Sequence, residues 1–420
     1  MFLLARGSRS LLPLIGLLLS WHHADLLAQD VAATSEHSGV QFDLAALSKT
    51  PEVFQADDKP IEGVKTLYYA GPTYKGKQTR IFAYYGEPAH AGGENDSQQK
   101  FPAMVLIHGG GGTAFDRWVK LWNSRGYAAI AMDLCGCVPV GTYGNWQRHD
   151  LGGPPGWDAS FSQLDDPIED QWTFQAVSVV ALAHSLIRSY PEIDADRIGV
   201  TGISWGGYLT SIVAGVDHRF KFAVPVYGCG YLGDNSAWLP SFETLGTEKS
   251  TLWLKQWDPS QYLGAVRMPM LWVNGTNDFA YPMDSWTKSW MLPKSPQTLC
   301  LRIRMPHGHG PAGENPEEIL VYADSLLKHG KPLATITAHG TRNNEVWASF
   351  ASEVPIMHAE LCFTRSTGKW QDREWETLPA QIDAAASRVA ADVPADATVY
   401  YLNLFDDRQC AVSTEHTERP

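Results

Sequence analysis

Cysteine is scarce, with six in 420 residues, which excludes a small disulfide-stapled scaffold and leaves the fold to a hydrophobic core. Cys135 and Cys137 stand too close together to pair without strain, whereas Cys362 and Cys410 are candidates to bridge two strands near the C-terminal end. A metal reading of Cys135-Gly136-Cys137 finds no further ligand at a recognisable spacing. Basic residues are also in deficit: 33 Lys and Arg against 46 Asp and Glu give a formal net charge of -13, which repels phosphate backbones and anionic lipid, so no nucleic acid is expected as a partner. Long apolar runs are confined to the N-terminus, where Arg6 and Arg9 precede an apolar stretch from Leu11 to Trp21. That stretch is too short to span a bilayer comfortably and reads as a secretory signal cleaved after Ala28. An uncleaved anchor is the alternative, because Leu26 stands where a small residue is preferred. No later segment is apolar enough to cross a membrane, and the expected location is secreted or periplasmic.

What the chain has instead is alternation. From Phe101 onward, short apolar runs bounded by Gly, Pro or polar residues alternate with helical patterns: MVLIHG, YAAIAMDL, RIGVTG, FKFAVPVYG, MPMLWVNG and TLCLRIRM read as strands, FDRWVKLWNSRG and QAVSVVALAHSLIRS as helices. This order predicts an α/β fold, a mostly parallel sheet with helices on both faces. Ahead of it, VKTLYYAGPTYKGKQTRIFAYYGEP reads as a hairpin and AHAGGENDSQQK as an exposed loop. Two long excursions, 136–170 and 229–266, are lid-like insertions, since structureless loops of that length in a compact domain usually line a site. After about 331 the alternation stops, and EVWASFA, AELCFTR and ATVYYLNLF read as strands of a small β-sandwich. The expected organisation is a signal at 1–28, a catalytic domain at 29–330 and a β-rich domain at 331–420.

The stretch VTGISWGGYLT sets Ser204 between a predicted strand and a helix whose Leu209, Ile212, Val213 and Val216 share one face. A serine there must turn the chain sharply, and Gly202 and Gly206 leave room for the turn. Its hydroxyl then sits at a helix N-terminus, where developing negative charge is favoured. A serine hydroxyl needs a base to take its proton and donors for the oxyanion it creates. HGGGG at 108–112 supplies unobstructed amides: with the amide of Trp205, one from Gly110 or Gly111 completes an oxyanion hole. His108 is read as a loop-fixing residue. In chain order the acid and base follow the serine at the ends of later strands. MLWVNGTNDFAYP presents Asp278, with Asp284 better explained as a helix cap. TLCLRIRMPHGHGPAG presents two histidines, and His309 is preferred as base for its longer reach, with His307 as the alternative. The chemistry calls for no metal and no cofactor.

With HGGGG, GISWGG, NGTNDFAYP and PHGHG in this order over roughly residues 60–330, the chain resembles the α/β-hydrolases, and within them the branch shared by prolyl-oligopeptidase-like enzymes and acetyl xylan esterase-like carbohydrate esterases. The resemblance implies the α/β-hydrolase fold and a Ser-Asp-His triad. The segment before the first core strand is too short for the oligopeptidases' β-propeller. Trp205 stands where the acetyl xylan esterases carry Gln, and neither His307 nor His309 is followed by Glu. The C-terminal β-domain lies outside both patterns.

The excursions bring Trp146, Arg148, His149 and Trp157, then Trp238, Trp253 and Trp257, into candidate binding walls. Flat rings beside hydrogen-bonding groups suit sugar faces, and Trp146, Arg148, Trp157 and Trp238 are the substrate candidates, although a lid packed on itself has the same composition. The leading expectation is a secreted esterase removing short acyl groups from a carbohydrate or small-molecule ester. An exopeptidase of the dipeptidyl or acylaminoacyl type is second, and a non-catalytic binding protein third.

Overall fold

The apolar runs become the parallel centre of a nine-stranded sheet. The computed structural model describes residues 37–56, 61–89 and 100–419; the signal reading and most of the loop at 89–100 lie outside the described residues. In chain order the strands are β1 (Val53–Gln55), β2 (Lys65–Tyr74), β3 (Lys77–Gly86), β4 (Phe101–Ile107), β5 (Ala128–Met132), β6 (Cys137–Thr142), β7 (Asn145–Arg148), β8 (Ile193–Ile203), β9 (Ala223–Val226), β10 (Met270–Gly275) and β11 (Gln297–Arg302). The large sheet runs β1-β2-β3-β5-β4-β8-β9-β10-β11, with β6 and β7 forming a separate hairpin. Pairing is antiparallel from β1 to β5 across β2 and β3 and parallel from β5 to β11.

Every residue of β5, β9 and β10 is buried, because helices cover both faces and a strand in that position has no polar side. Period-two alternation divides β4 between two layers: Ala103, Val105 and Ile107 pack with the helices Trp172–Arg188 and Trp205–Val216, while Met104 and Leu106 pack with Asp116–Ser124 and Glu317–Leu327. The first excursion contains the β6-β7 hairpin and a short helix at Ala159–Ser162. The second folds largely into the helix Leu239–Trp257, kinked at Gly246, whose φ of 75° glycine adopts without strain.

Beyond the last helix come β12 (Thr335–Arg342), β13 (Glu345–Ala351), β14 (Ile356–Thr364), β15 (Trp375–Pro379), β16 (Gln381–Asp383), β17 (Arg388–Asp392), β18 (Val399–Asp406), β19 (Ala411–Ser413) and β20 (Thr417–Glu418). They form two antiparallel sheets, β12-β13-β17-β16 and β15-β14-β18-β19 with β20 on β18, sharing a core of Val346, Leu361, Phe363, Val389, Leu402 and Leu404. The opposite face of the second sheet meets the edge strand β11. Leu301 donates its amide to Ser413 Oγ at 2.8 Å, and its carbonyl accepts from Asn403 Nδ2 at 3.1 Å and Tyr401 Oη at 3.3 Å. Residues Ser35–Pro420 accordingly make one compact unit, with the β-rich segment sealing an edge of the main sheet.

The cysteine pair expected at Cys362 and Cys410 does not form. All six cysteines are free and buried: Cys362 packs in the layer holding Trp375 and Tyr401, Cys410 in the layer holding Val412 and Ile319. Cys362 lies in β14 and Cys410 just ahead of β19, with β18 between those two strands, and the thiols fall in different layers. Among the described residues no helix is long and apolar enough to cross a membrane.

Candidate active site

β8 runs into the helix Trp205–Val216 without a connecting loop, and Ser204 takes the whole turn at φ 58° and ψ -118°. This is a backbone region that non-glycine residues avoid, and the surrounding packing must hold the residue there. The flanking glycines are required by contact: a Cβ on Gly202 would run into the Gly206 carbonyl, and one on Gly206 into the carbonyl of Ile107. Two backbone segments thus pass too close for any side chain, and the turn raises the Ser204 hydroxyl above the carboxyl ends of the strands.

His307 reaches it. Its Nε2 lies 2.8 Å from Ser204 Oγ, and its Nδ1 lies 2.6 Å from Asp278 Oδ2. Asp278 follows β10 and is buried; its second oxygen accepts the amides of Ala280 at 2.9 Å and Tyr281 at 2.7 Å. The carboxylate is therefore held by backbone on one side and presented to the imidazole on the other. Tyr227 stacks on the His307 ring at a 4.5 Å centroid distance and Phe279 leans on it at 4.9 Å.

His309, the histidine preferred as base, does not meet Ser204; His307, the alternative, does. His309 Nε2 accepts the amide of Gly109 at 2.9 Å and its Nδ1 faces Glu314 Oε1 at 3.0 Å, so both ring nitrogens are engaged away from Ser204. Reach along the loop is a poor guide, because the single residue between the two histidines is Gly308, and the rings on either side of it go to different partners. Asp284 is occupied by Asn235 Nδ2 and its neighbour's amide. His108 fixes the loop: Nε2 accepts the Leu134 amide at 3.0 Å and Nδ1 lies 2.8 Å from the Gly109 carbonyl. Burial pushes its titration down to about 4, so the ring stays neutral. Asp133, beside it at the end of β5, accepts the amides of Cys135 and Cys137 and the Thr113 hydroxyl, and burial pushes its carboxyl up to about 6. The atoms of His108, Asp133 and Cys135 lie near enough to suggest a metal triad, but His108 and Asp133 spend their lone pairs on backbone and hydroxyl donors.

Ser204 and His307 open onto a cavity of about 880 Å³. Gly110, Gly111 and Trp205, the expected oxyanion residues, line it, as do Trp146, Trp157 and Trp238. Trp205 is buried among Trp157 at 5.0 Å, stacked, and Trp238 at 4.6 Å, edge-on. Arg148 is not in this cavity. Its guanidinium binds the carbonyls of Cys135, Gly153 and Pro154, bracing the excursion from beneath, since a buried strand of loop carbonyls needs a donor with several arms. Trp253 and Trp257 are fully buried, with Trp257 Nε1 donating to Gln171 and the Trp257 carbonyl accepting from Tyr208; they belong to the main core. His149 stacks on Tyr68.

Sequence reasoning missed Phe115, Arg117, Tyr143 and Phe279 in the cavity wall. Tyr143 donates its hydroxyl to the Gly110 carbonyl at 2.7 Å, and Trp146 Nε1 donates to the Gly111 carbonyl at 2.8 Å. Tyr143 and Phe279 are both exposed large aromatics, but that signal appears only once the surface exists.

Comparison with known proteins divides the chain in two overlapping parts. Residues 42–238 match the family described as Acetyl xylan esterase (AXE1), and residues 168–326 match the Prolyl oligopeptidase family. Among solved structures, an acetyl xylan esterase from Paenibacillus sp. R4 superposes with a TM-score of 0.54 at 23% identity, covering 68% of this chain and 92% of that one. Among sequence relatives, the Bacillus subtilis protein named Uncharacterized peptidase YuxL is 29% identical over 45% of this chain and 28% of its own length. The Probable dipeptidyl-peptidase 5 of Aspergillus niger is 27% identical over 45% of this chain and 26% of its own. The chain thus spans little more than a quarter of these relatives' length.

Proposed function

We propose that this chain, an α/β-hydrolase of the branch shared by prolyl-oligopeptidase-like enzymes and acetyl xylan esterases, is a serine esterase that removes short acyl groups from a carbohydrate or similar small ester. The observation that carries the reading is the continuous line from Asp278 Oδ2 through the His307 ring to Ser204 Oγ, with separations of 2.6 and 2.8 Å.

In this reading His307 Nε2 takes the Ser204 proton as Oγ bonds to the acyl carbon, while Asp278 holds the Nδ1 proton and stabilises the imidazolium. The carbonyl electron pair moves onto oxygen, which the amides of Trp205 and Gly110 receive. Return of that pair expels the alcohol oxygen, and His307 delivers its proton to it. Water then repeats the sequence on acyl-Ser204, releasing the acid and restoring the hydroxyl.

The choice of ester over peptide rests on the wall. A free amino terminus is usually recognised by carboxylates, and among the described residues those lining the cavity contribute none, with Arg117 as the full charge. Trp157 stacked on Trp205, with Trp238 edge-on to both, confines the acyl side to a small group. The peptidase reading keeps specific support of its own, the Prolyl oligopeptidase match over 168–326, which contains Ser204, Asp278 and His307, and the relatives named as a peptidase and a dipeptidyl-peptidase. Measuring kcat/KM for p-nitrophenyl acetate, butyrate and octanoate beside alanyl and prolyl anilides separates the two: efficient anilide cleavage overturns the esterase. The Arg6, Arg9 and Leu11–Trp21 pattern supports an enzyme exported from the cytoplasm.

A further inference from the structure

His309 has both ring nitrogens engaged, and an amide N–H can only donate, so the Nε2 that faces the Gly109 amide at 2.9 Å carries no proton. The ring proton therefore sits on Nδ1, toward Glu314 Oε1 at 3.0 Å. Glu314 is gripped in turn by Arg117, through Nη2 to Oε1 at 2.6 Å and Nε to Oε2 at 3.2 Å. Burial works to raise the Glu314 carboxyl, but bonds from His309 and Arg117 bring it below its ordinary value, as they must for an anion at this depth. The Arg117 guanidinium lies 3.9 Å above the Phe115 ring, and Trp118 Nε1 donates to the Glu314 carbonyl at 3.3 Å. The chain Arg117, Glu314, His309 is thus anchored on the helix Asp116–Ser124 and ends on one atom, the Gly109 amide.

That atom lies in a loop with no means of holding itself. Four consecutive glycines, 109–112, have the largest conformational freedom of any such run and no side chains to pin them. The described bonds to this loop otherwise grip its carbonyls or run within it: His108 Nδ1 and the Gly112 amide on the Gly109 oxygen, Tyr143 on Gly110, Trp146 and the Gly144 amide on Gly111. In a trans peptide the carbonyl and the following amide point in opposite directions, so fixing the Gly109 oxygen aims the Gly110 amide the other way. His309 fixes the other end of the same residue. A Cβ placed on Gly109 would lie 3.1 Å from Ser204 Cβ and 3.5 Å from His309 Nε2, so this residue sits between the nucleophile and the pin.

We propose that His309 is a positioning residue: with Glu314 and Arg117 behind it, it holds Gly109 so that the Gly110 amide is aimed at the oxyanion formed on Ser204. The proposal rests on the serine-esterase reading of the site. It assigns the two histidines of one short loop to two different tasks, proton transfer for His307 and preorganisation of the oxyanion donor for His309. An oxyanion donor acts on the transition state far more than on the bound ester, so the effect of losing its alignment falls on kcat.

The test compares wild type with His309→Ala, His309→Gln and His309→Asn on p-nitrophenyl acetate, with Ser204→Ala as a control and with inhibition by phenylboronic acid measured in parallel. Glutamine places an acceptor near the position of Nε2 and can still receive the Gly109 amide, whereas asparagine reaches only the position of Nδ1. The expected result is that Ala and Asn lower kcat by roughly 10- to 100-fold, part of the ~100- to 1,000-fold that deleting a whole oxyanion donor costs. KM should stay within about threefold, and boronate affinity should fall in step with kcat, since both need the same donor. Gln should recover most of the loss. The proposal is overturned if Gln and Asn are equally impaired, if KM rather than kcat changes, or if boronate binding is unaffected. Because Gln and Asn both keep an amide side chain in the site and differ in its reach, they decide the matter even if Ala fails to fold. Activity persisting in Ser204→Ala would instead overturn the reading of the site as a whole.

Discussion

Asn277 Nδ2 lies 2.7 Å from the carbonyl oxygen of Arg373. The same amide approaches the carbonyls of Gln371 at 3.1 Å and Trp370 at 3.3 Å, so the residue immediately before Asp278 is tied to the β-rich segment far along the chain. The turn that presents the carboxylate to His307 is therefore held from outside the catalytic part. Asn277→Ala should lower stability by about 1 kcal/mol, the net worth of a partly buried hydrogen bond, and lower kcat/KM several-fold by loosening the turn. Thermal unfolding and esterase kinetics on the same preparation check this; an unchanged kcat/KM would show that the turn holds itself.

Removal of residues 331–420 is a harsher version of the same test. Besides the Asn277 bonds it strips Ser413, Asn403 and Tyr401 from Leu301 and bares β11 as a sheet edge, a surface prone to self-association. A fragment ending near Lys331 should be recovered as aggregate. A soluble monomer with wild-type turnover on p-nitrophenyl acetate would mean that the β-rich segment is dispensable for the site.

Ser204→Ala and His307→Ala should each leave the fold intact and cut ester hydrolysis by at least ~10,000-fold, since triad members act as a unit and loss of one removes most of the acceleration. Asp278→Asn should come close to this, because the 2.6 Å bond to Nδ1 sets the ring's tautomer. Steady-state rates with circular dichroism controls decide it, and a His307→Ala enzyme within tenfold of wild type would remove that residue from the mechanism.

The acyl side of the cavity sets a preference for chain length. Wild type should hydrolyse acetyl esters much faster than octanoyl esters, because Trp205 is packed between Trp157 and Trp238 and has no room to yield. Trp238→Ala opens that wall and should shift the octanoyl-to-acetyl ratio of kcat/KM upward by roughly tenfold or more, in line with the few kcal/mol that a handful of methylenes can gain in an apolar pocket. A ratio unmoved by the substitution would place the acyl group elsewhere.

Acidification should weaken the fold. His108 titrates at about 4 when folded because it is buried, while in the unfolded chain an ordinary histidine takes up its proton near pH ~6.5. Between these values the unfolded state binds more protons, so stability falls as pH drops through that window. His37, also lowered to about 4 by burial, acts in the same sense. Asp133, raised to about 6 by burial, acts in the opposite one, leaving a net loss. From the unfolded value near pH ~6.5 down to pH 5, the His108 share amounts to about 2 kcal/mol by the usual conversion of a pKa difference. Urea midpoints at pH 7 and pH 5 measure it; a midpoint that rises at pH 5 would show that Asp133 outweighs the histidines.

Much of this protein is legible along the chain because the relevant physics is local. Whether 101–107 or 270–275 forms a buried strand depends on the character of a few consecutive residues, and the need for glycine at 202 and 206 follows from the turn at Ser204 alone. The order Ser204, Asp278, then a histidine is likewise a property of the sequence. What only the tertiary structure decided are the questions of direction. His307 and His309 are two residues apart in an irregular loop, and which one meets Ser204 depends on where that loop crosses the loop at 108–112, some two hundred positions away. Arg148 looks like a binding residue until the excursion folds back and offers it three carbonyls, and Trp253 and Trp257 look like platforms until their helix packs them into the main core. Cys362 and Cys410 share a region but not a layer, because β18 stands between the strands that carry them. Composition and spacing determine which groups a chain possesses; long-range packing, acting through loops that carry no periodicity of their own, determines which of those groups meet.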